Sequence, residues 1–166
     1  MNNRFDLQFV ENTTAGKVKP DYVAKTEKMI GLKFPTNFLS LLEARNGGVP
    51  VKRLFKIDDE VKVLERFLCL VSDYKVNKYG DFDIGIVWSR IEDRLDGNLL
   101  PFAAVFAGDY LCFDYADNRN KPKMVLWYHE LSDEEGPYII PVADSFDEFL
   151  EMLYEDPEKS KENNYH

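Results

Sequence analysis

The hydrophobic pattern of this chain changes its period at residues 46–50, and this change limits the folds that the chain can adopt. Before this point, apolar residues recur at three- and four-residue spacing, which predicts helices. After it, short runs rich in β-branched and aromatic residues predict strands. The change falls on Asn46, Gly47 and Gly48, which accept positive φ, and on Pro50, which prevents a helix from continuing. Runs of strands separate from helices favour an α+β domain.

Four helices are predicted, and most carry a start or stop signal. The first runs over 20–30 and is ended by a glycine, the second begins at 35–36, and the third covers 83–95. The fourth begins at Ser145 as its N-cap, with Glu148 three residues on to reach back, which is the signature of a capping box. Its buried stripe is predicted to consist of Phe146, Phe149, Leu150 and Leu153.

Five strands are predicted, at 52–57, 61–68, 102–106, 110–115 and 123–129. Turn-forming residues separate the first two, and Ala107-Gly108-Asp109 predicts a tight hairpin connection between the third and the fourth. The last strand is apolar on both faces, which indicates an interior strand. The fold class that follows is α+β: a single domain with a mostly antiparallel sheet of about five to six strands and helices packed against it.

The composition indicates a body that needs neither metal nor disulfide. Hydrophobic residues make up 45% of the chain, including 12 Phe, 9 Tyr and 2 Trp, and their burial can offset the backbone entropy. Cys69 and Cys112 lie outside any metal-ligand pattern, so we expect reduced, buried thiols and no cofactor.

The ends of the chain differ from its body in composition. Apolar groups are fewer there, so we expect the domain to span residues 17–155, with flexible tails at 1–16 and 156–166. The first ten residues are too polar for a secretion signal, and no window approaches about 18 uncharged apolar residues. We therefore expect a cytoplasmic protein.

The charge is strongly acidic, with 21 Lys and Arg against 30 Asp and Glu and a net charge of −9. Such a chain repels phosphate backbones and anionic lipids, so neither direct nucleic-acid binding nor membrane binding is expected. The same charge would speed encounter with a basic partner protein.

Residues suited to catalysis are few. The chain has no nucleophile elbow and no glycine-rich phosphate loop, and the second histidine is the terminal residue, which leaves His129. We expect His129 to be hydrogen-bonded at a strand end, because Glu130 next to it points to the other face. Asp81, Asp83 and Glu92 imitate a calcium loop, but its glycine position holds isoleucine. Tyr110, Asp114 and Tyr115 resemble a sugar-stacking site, yet we expect half-buried sheet residues.

Three blocks, taken in order and spacing, resemble the SUKH superfamily. The first joins GLKFP at 31–35 to NGG at 46–48. The second joins LPFA at 100–103 to FAGDYLCFD at 106–114, and the third joins VLWYHE at 125–130 to VADSFDEFL at 142–150. Ala107 departs from the family, which often has glycine there, and this leaves the turn type of the hairpin open.

The resemblance implies a non-enzymatic domain that acts by binding another protein. Many bacterial members of the superfamily are immunity proteins of polymorphic toxin systems. An immunity protein that binds and neutralises a cognate toxin, with a basic nuclease domain as partner, is therefore implied. The alternative is a non-catalytic regulatory or scaffold module of the kind found in the fungal cell-wall regulator.

Acidic residues are the candidates for the partner-binding site, because they would attract a basic toxin domain. The candidate residues are Asp58, Asp59, Glu60, Asp133, Glu134 and Glu135. Further carboxylates that we considered for the same acidic rim are Asp144, Asp147, Glu148 and Glu151.

Overall fold

The structure, a computed structural model, describes residues 7–157. Within them the chain forms one α+β domain with four α-helices and an antiparallel sheet, which confirms the predicted fold class; the sheet has six strands, one more than the five that were placed in the sequence. The helices are α1 (Pro20–Ile30), α2 (Thr36–Ala44), α3 (Ile84–Ile91) and α4 (Phe146–Met152). The strands are β1 (Leu54–Ile57), β2 (Glu60–Phe67), β3 (Leu99–Val105), β4 (Asp109–Asp114), β5 (Lys123–Trp127) and β6 (Ile139–Ala143).

The sheet is a simple meander in which each strand pairs with the next one along the chain, in the order β1-β2-β3-β4-β5-β6. Strand β5 pairs with β4 on one side and with β6 on the other, where Leu126 lies opposite Ile140. It is therefore an interior strand, as predicted. The sequence analysis missed β6, because Pro141 lies in its middle and proline argues against a strand. Proline is tolerated at an edge, where no further strand needs its missing N–H.

The sheet curls strongly, so that its two edges approach each other. Lys62 Nζ on β2 lies 5.2 Å from the centroid of the Tyr128 ring just after β5, whereas β2 and β5 would be roughly 14 Å apart in a flat sheet. A groove of about 470 Å³ separates the edges; it is lined by Lys56, Ile57 and Asp58 on the β1 side and by Ile140, Pro141 and Val142 on the β6 side. The main core is enclosed by this curvature.

Aromatic side chains fill the inner face of the sheet. Phe146 of α4 lies 5.5 Å from Phe38 of α2 and 5.9 Å from Phe113 of β4, between ring centroids, and Phe102 stacks on Phe113 at 4.2 Å. Four Phe rings from two helices and two strands therefore meet at one point, and all four are fully buried. Ser145 Oγ accepts a hydrogen bond from Glu148 N at 3.2 Å, so the predicted N-cap of α4 is confirmed.

Helix α3 covers the outer face of the sheet. Its N-cap is Asp83, whose Oδ2 accepts from Ile86 N at 3.1 Å and from the Tyr22 hydroxyl of α1 at 3.0 Å. The predicted helix 83–95 is shorter in the structure, where Ile91 is followed by a turn of 3-10 helix, Glu92–Arg94. This turn is fixed to the sheet because Trp127 Nε1 donates to Arg94 O at 3.1 Å.

Residues 7–16 differ from the flexible tail that we predicted. Val10 N donates to Val49 O at 2.8 Å, and Ala15 N donates to Asn46 O at 2.9 Å. Arg66, only 6% exposed, donates from Nη2 to Thr13 O at 2.7 Å. The folded body thus begins at least ten residues before the predicted boundary at 17, whereas residues 1–6 and 158–166 lie outside the described part of the chain.

The turn after α2 depends on glycine. Gly47 has φ 71°, and a Cβ at this position would lie 2.8 Å from Cys69 Cβ. Asn46 lies beside it, 4% exposed, with Oδ1 accepting from Leu70 N at 2.8 Å. Both cysteines are free and buried, as predicted; burial and the nearby Asp83 raise the pKa of Cys69 to about 12.

Candidate functional site

The meander places three chain connections at the same end of the sheet, which we call the turn end. They are residues 58–59 between β1 and β2, 106–108 between β3 and β4, and 128–138 between β5 and β6. In an antiparallel meander, alternate connections lie at the same end, so this follows from topology alone. The predicted partner-binding residues come from the first and third connections and from the first residue of β2.

All six predicted partner-binding residues are exposed to solvent. Asp58 and Asp59 form the two-residue turn, with Asp58 at φ 53°, and Glu60 pairs with Ile57 at the start of β2. Asp133, Glu134 and Glu135 lie in a turn in which Asp133 N donates to Gly136 O at 3.2 Å. The structure thus brings both predicted groups to the turn end, although they are far apart in sequence.

Lys62 links Glu60 of the first acidic group to the connection after β5 across the inner face. Its Nζ lies 2.9 Å from Glu60 Oε1 and 5.2 Å from the Tyr128 ring centroid, and that ring packs edge-on against Tyr138 at 5.6 Å. Partial burial opposes the charge of Lys62, but its hydrogen bonds to Glu60 and Tyr128 prevail and raise its pKa. The turn end is therefore held together by direct contacts between β2 and the connection after β5.

The connections of the turn end are strongly acidic. The three connections, together with the first residues of β2 and β4, contain no Lys or Arg. Their carboxylates are Asp58, Asp59, Glu60, Asp109, Glu130, Asp133, Glu134 and Glu135. Since most are solvated, their contribution is a long-range field that attracts basic surfaces and weakens as salt rises.

The other acidic residues that we considered lie elsewhere. Asp144 follows the last residue of β6, which is at the opposite end of the sheet, and α4 begins there. Asp147 Oδ1 accepts from Asn37 Nδ2 at 3.3 Å, and Glu148 Oε2 accepts from Asp144 N at 3.2 Å. These carboxylates therefore do not extend the rim of the turn end; they tie α4 to its surroundings.

His129 lies at the turn end and is hydrogen-bonded at the end of β5, as predicted. Arg94 Nη1 and Nη2 are each 3.2 Å from His129 Nδ1, and Arg94 Nη1 also donates to His129 O at 3.1 Å. Because arginine can only donate, Nδ1 acts as an acceptor here. His129 N donates to Asp109 Oδ1 at 2.9 Å. The His129 imidazole thus joins the 3-10 turn after α3 to the end of β5.

The calcium-like residues have separate structural partners. Asp81 forms an exposed ion pair with Arg90 at 2.8 Å, and Asp83 is fully buried at the start of α3. Over residues 7–157, no three His, Cys, Asp or Glu side chains are grouped so that they could hold a metal ion. No helix in the same part of the chain has the length and apolar character to cross a membrane.

Exposed apolar side chains at the turn end were not singled out by the sequence analysis. Phe106 is 71% exposed, Leu131 58%, and Val61 and Tyr138 48% each. The sequence pattern predicts Phe106 as the last residue of one strand and Val61 as the first residue of another. The sequence does contain a signal for the exposure of Phe106, which is its position directly before Ala107-Gly108. A large aromatic side chain at the tip of a tight turn lies too far from the core to be buried in it.

Residues 7–157 thus form a small α+β domain with four α-helices and an acidic turn end. Its sheet is one antiparallel meander that curls around α4. A family model, SUKH_6 (SMI1-KNR4 cell-wall), matches residues 20–150, from the first residue of α1 into α4. The chain therefore belongs to the SUKH family. A search among curated proteins finds no match.

Proposed function

We propose that this protein is an immunity protein that binds a cognate toxin, a basic nuclease domain, and neutralises it by protein–protein contact in the cytoplasm. The observation that carries the proposal is the meeting of two acidic groups, 58–60 and 133–135, at one end of the sheet. A surface of this kind accelerates encounter with a basic protein and opposes binding to nucleic acid. The SUKH family supports the same assignment, because the resemblance implies immunity proteins among its bacterial members.

Inhibition in this proposal needs no chemistry of the chain's own. A nuclease active site must be positively charged to hold its substrate, and an acidic surface laid over it competes for the same charges. The turn end offers such a surface on a rigid support, because its connections are anchored by β-strands with buried side chains. Binding there would exclude the nucleic acid by occupancy.

Protection of living cells tests the proposal directly. The toxin domain encoded beside this chain is expressed from an inducible promoter, with and without the chain, and colony survival is counted. We expect survival only when the chain is present. Loss of viability with every neighbouring toxin domain, despite normal levels of the folded chain, would contradict the proposal.

The role of charge is tested by a matched pair of triple variants. The first, Asp58→Asn, Asp59→Asn and Glu134→Gln, neutralises the turn end. The second, Asp96→Asn, Asp117→Asn and Asp144→Asn, removes the same charge from exposed positions at the opposite end of the sheet. Stopped-flow association with the toxin domain at low salt should slow by about tenfold for the first variant only, and the difference should shrink as salt is added.

A further inference from the structure

The outer face of β2 and β3 carries an apolar patch at the turn end. Phe106 N donates to Val63 O at 2.9 Å, so Phe106 lies beside Val63. Val61 precedes Val63 by two residues, and side chains alternate along a strand, so these two valines share one face. The next residue, Leu64, is fully buried in the main core and points to the other face. We call Val61, Val63 and Phe106 the outer-face patch.

This patch is open to solvent, whereas the residues that alternate with it on the inner face are buried. Phe106 is 71% exposed and Val61 is 48% exposed, whereas Val105 next to Phe106 is 1% exposed. Helix α3 packs on β3 and, through Arg94, on Trp127 of β5, which covers the outer face farther along the sheet. The outer-face patch lies beyond this helix, toward the β1–β2 hairpin.

Core packing does not account for Phe106. Its ring has no ring partner among the aromatic pairs of residues 7–157, and its exposure leaves most of its apolar surface in water. An exposed aromatic side chain at the tip of a rigid hairpin is the type of residue that dominates the binding energy of protein interfaces. It is held in place by strands on both sides, so little conformational entropy is lost on binding.

Charges around the patch select its partner. Asp58 and Asp59 form the hairpin turn before Val61, and Glu65 is exposed two residues after Val63. Lys56 of β1 pairs with Val61 of β2 and is a basic group on this face. Acidic side chains therefore outnumber basic ones, and a partner with Lys or Arg around an apolar depression would match both features.

We propose that the outer-face patch is the docking surface for the toxin, with Phe106 inserted into an apolar depression that basic residues of the toxin surround. This rests on the proposed function and adds where the toxin binds and which side chain anchors it. A second copy of this chain fits less well, since it would place the same carboxylates opposite each other.

Binding to the purified, catalytically inactive toxin domain encoded beside this chain tests the assignment. The variants are Phe106→Ala and Val61→Ala, and the matched control is Val76→Ala, an 85% exposed apolar residue outside the sheet. Titration calorimetry should show a Kd about 30-fold weaker for Phe106→Ala. It should show a change below about threefold for Val76→Ala. Thermal unfolding of all three should match the parent, because exposed side chains contribute little to stability.

The outcomes separate the two proposals. If the parent chain protects cells and binds the toxin domain, but Phe106→Ala binds equally well, the docking surface is wrong and the proposed function stands. If the parent chain does not bind any neighbouring toxin domain, both are wrong. If Phe106→Ala keeps toxin affinity but turns a dimer into a monomer in analytical ultracentrifugation, the patch joins two copies of the chain and the proposal is overturned.

Discussion

Ala107 has a backbone conformation that usually requires glycine. Its φ is 77°, and Gly108 after it has φ 88°, so the hairpin between β3 and β4 needs two consecutive residues at positive φ. Such turns fit the right-handed twist of paired strands and favour Asn-Gly or Gly-Gly. The alanine therefore keeps the glycine-like backbone of the hairpin at an energetic cost, instead of changing the shape of the turn.

Replacing this alanine should stabilise the protein. An L-residue at positive φ costs roughly 1–2 kcal/mol, and glycine loses about 0.4–1 kcal/mol through the greater freedom of its unfolded chain. Ala107→Gly should therefore raise the free energy of unfolding by about 0.5–1 kcal/mol in urea titrations. The same change in Ala116→Gly, at an exposed residue without positive φ, should lower it. A destabilised Ala107→Gly variant would show that the alanine is not strained.

Asp83 is fully buried and accepts hydrogen bonds from α1, from α3 and from the connection after β2. Its partners are Val71 N at 2.9 Å, Ile86 N at 3.1 Å and the Tyr22 hydroxyl at 3.0 Å. Asp83→Ala removes a helix cap and leaves buried donors unpaired, so we expect a loss of about 2–4 kcal/mol by chemical denaturation. Asp81→Ala, which breaks only an exposed ion pair, should cost less than about 1 kcal/mol. Equal losses in the two variants would contradict this role.

At the scale of elements, α4 is a short helix whose position inside the curled sheet gives it a large share of the core. Phe149 is fully buried, with ring centroids 5.6 Å from Phe55 and 5.9 Å from Phe102. Phe149→Ala should therefore lower the free energy of unfolding by about 3–5 kcal/mol, measured by urea denaturation. Glu151→Ala, exposed on the same helix, should stay within about 0.5 kcal/mol. A small effect at Phe149 would mean that α4 can detach without disrupting the core.

Helices were easier to predict than strand edges, for a physical reason. The starts of α1 and α4 depend on local signals, a proline and a serine cap, and both were found in the structure. The limits of β3 and the existence of β6 depend on neighbouring strands: Pro101 lies at a bulge within β3, and Pro141 is tolerated only because β6 is an edge. No local window of sequence contains that information.

At the scale of the whole molecule, the folded domain begins earlier along the chain than the predicted boundary at residue 17. Residues 7–16 belong to the segment that was expected to be a flexible tail, yet Phe9 packs against Phe67 at 6.0 Å between ring centroids and the Tyr79 hydroxyl donates to Asn12 O at 2.6 Å. A chain that starts at residue 17 would also leave the buried guanidinium of Arg66 without its acceptor at Thr13. We expect it to lose at least about 3 kcal/mol of unfolding free energy, whereas Glu11→Ala, exposed in the same segment, should change little. An equally stable shortened chain would restore the boundary at 17.

The candidate site could be predicted only in part. Its acidic residues stood out in the sequence as two clusters, but their meeting at the turn end depends on the order of all six strands. The cluster of Asp144, Asp147 and Glu148 looked equivalent in sequence and lies at the other end. Phe106 was overlooked because an aromatic residue at the end of a strand usually belongs to the core; its position directly before the Ala107-Gly108 turn was the sign that it points into solvent.

The hydrogen bonds between Leu54 and Tyr154 have a consequence for synthesis on the ribosome. Leu54 N donates to Tyr154 O at 3.0 Å, and Tyr154 N donates to Leu54 O at 2.9 Å, so the residues after α4 cover the start of the outer edge of β1. A nascent chain has made β1 long before residue 154 emerges, and an uncovered strand edge is a template for pairing with other chains. Incomplete chains that lack this last segment should therefore be the species most prone to aggregate during translation.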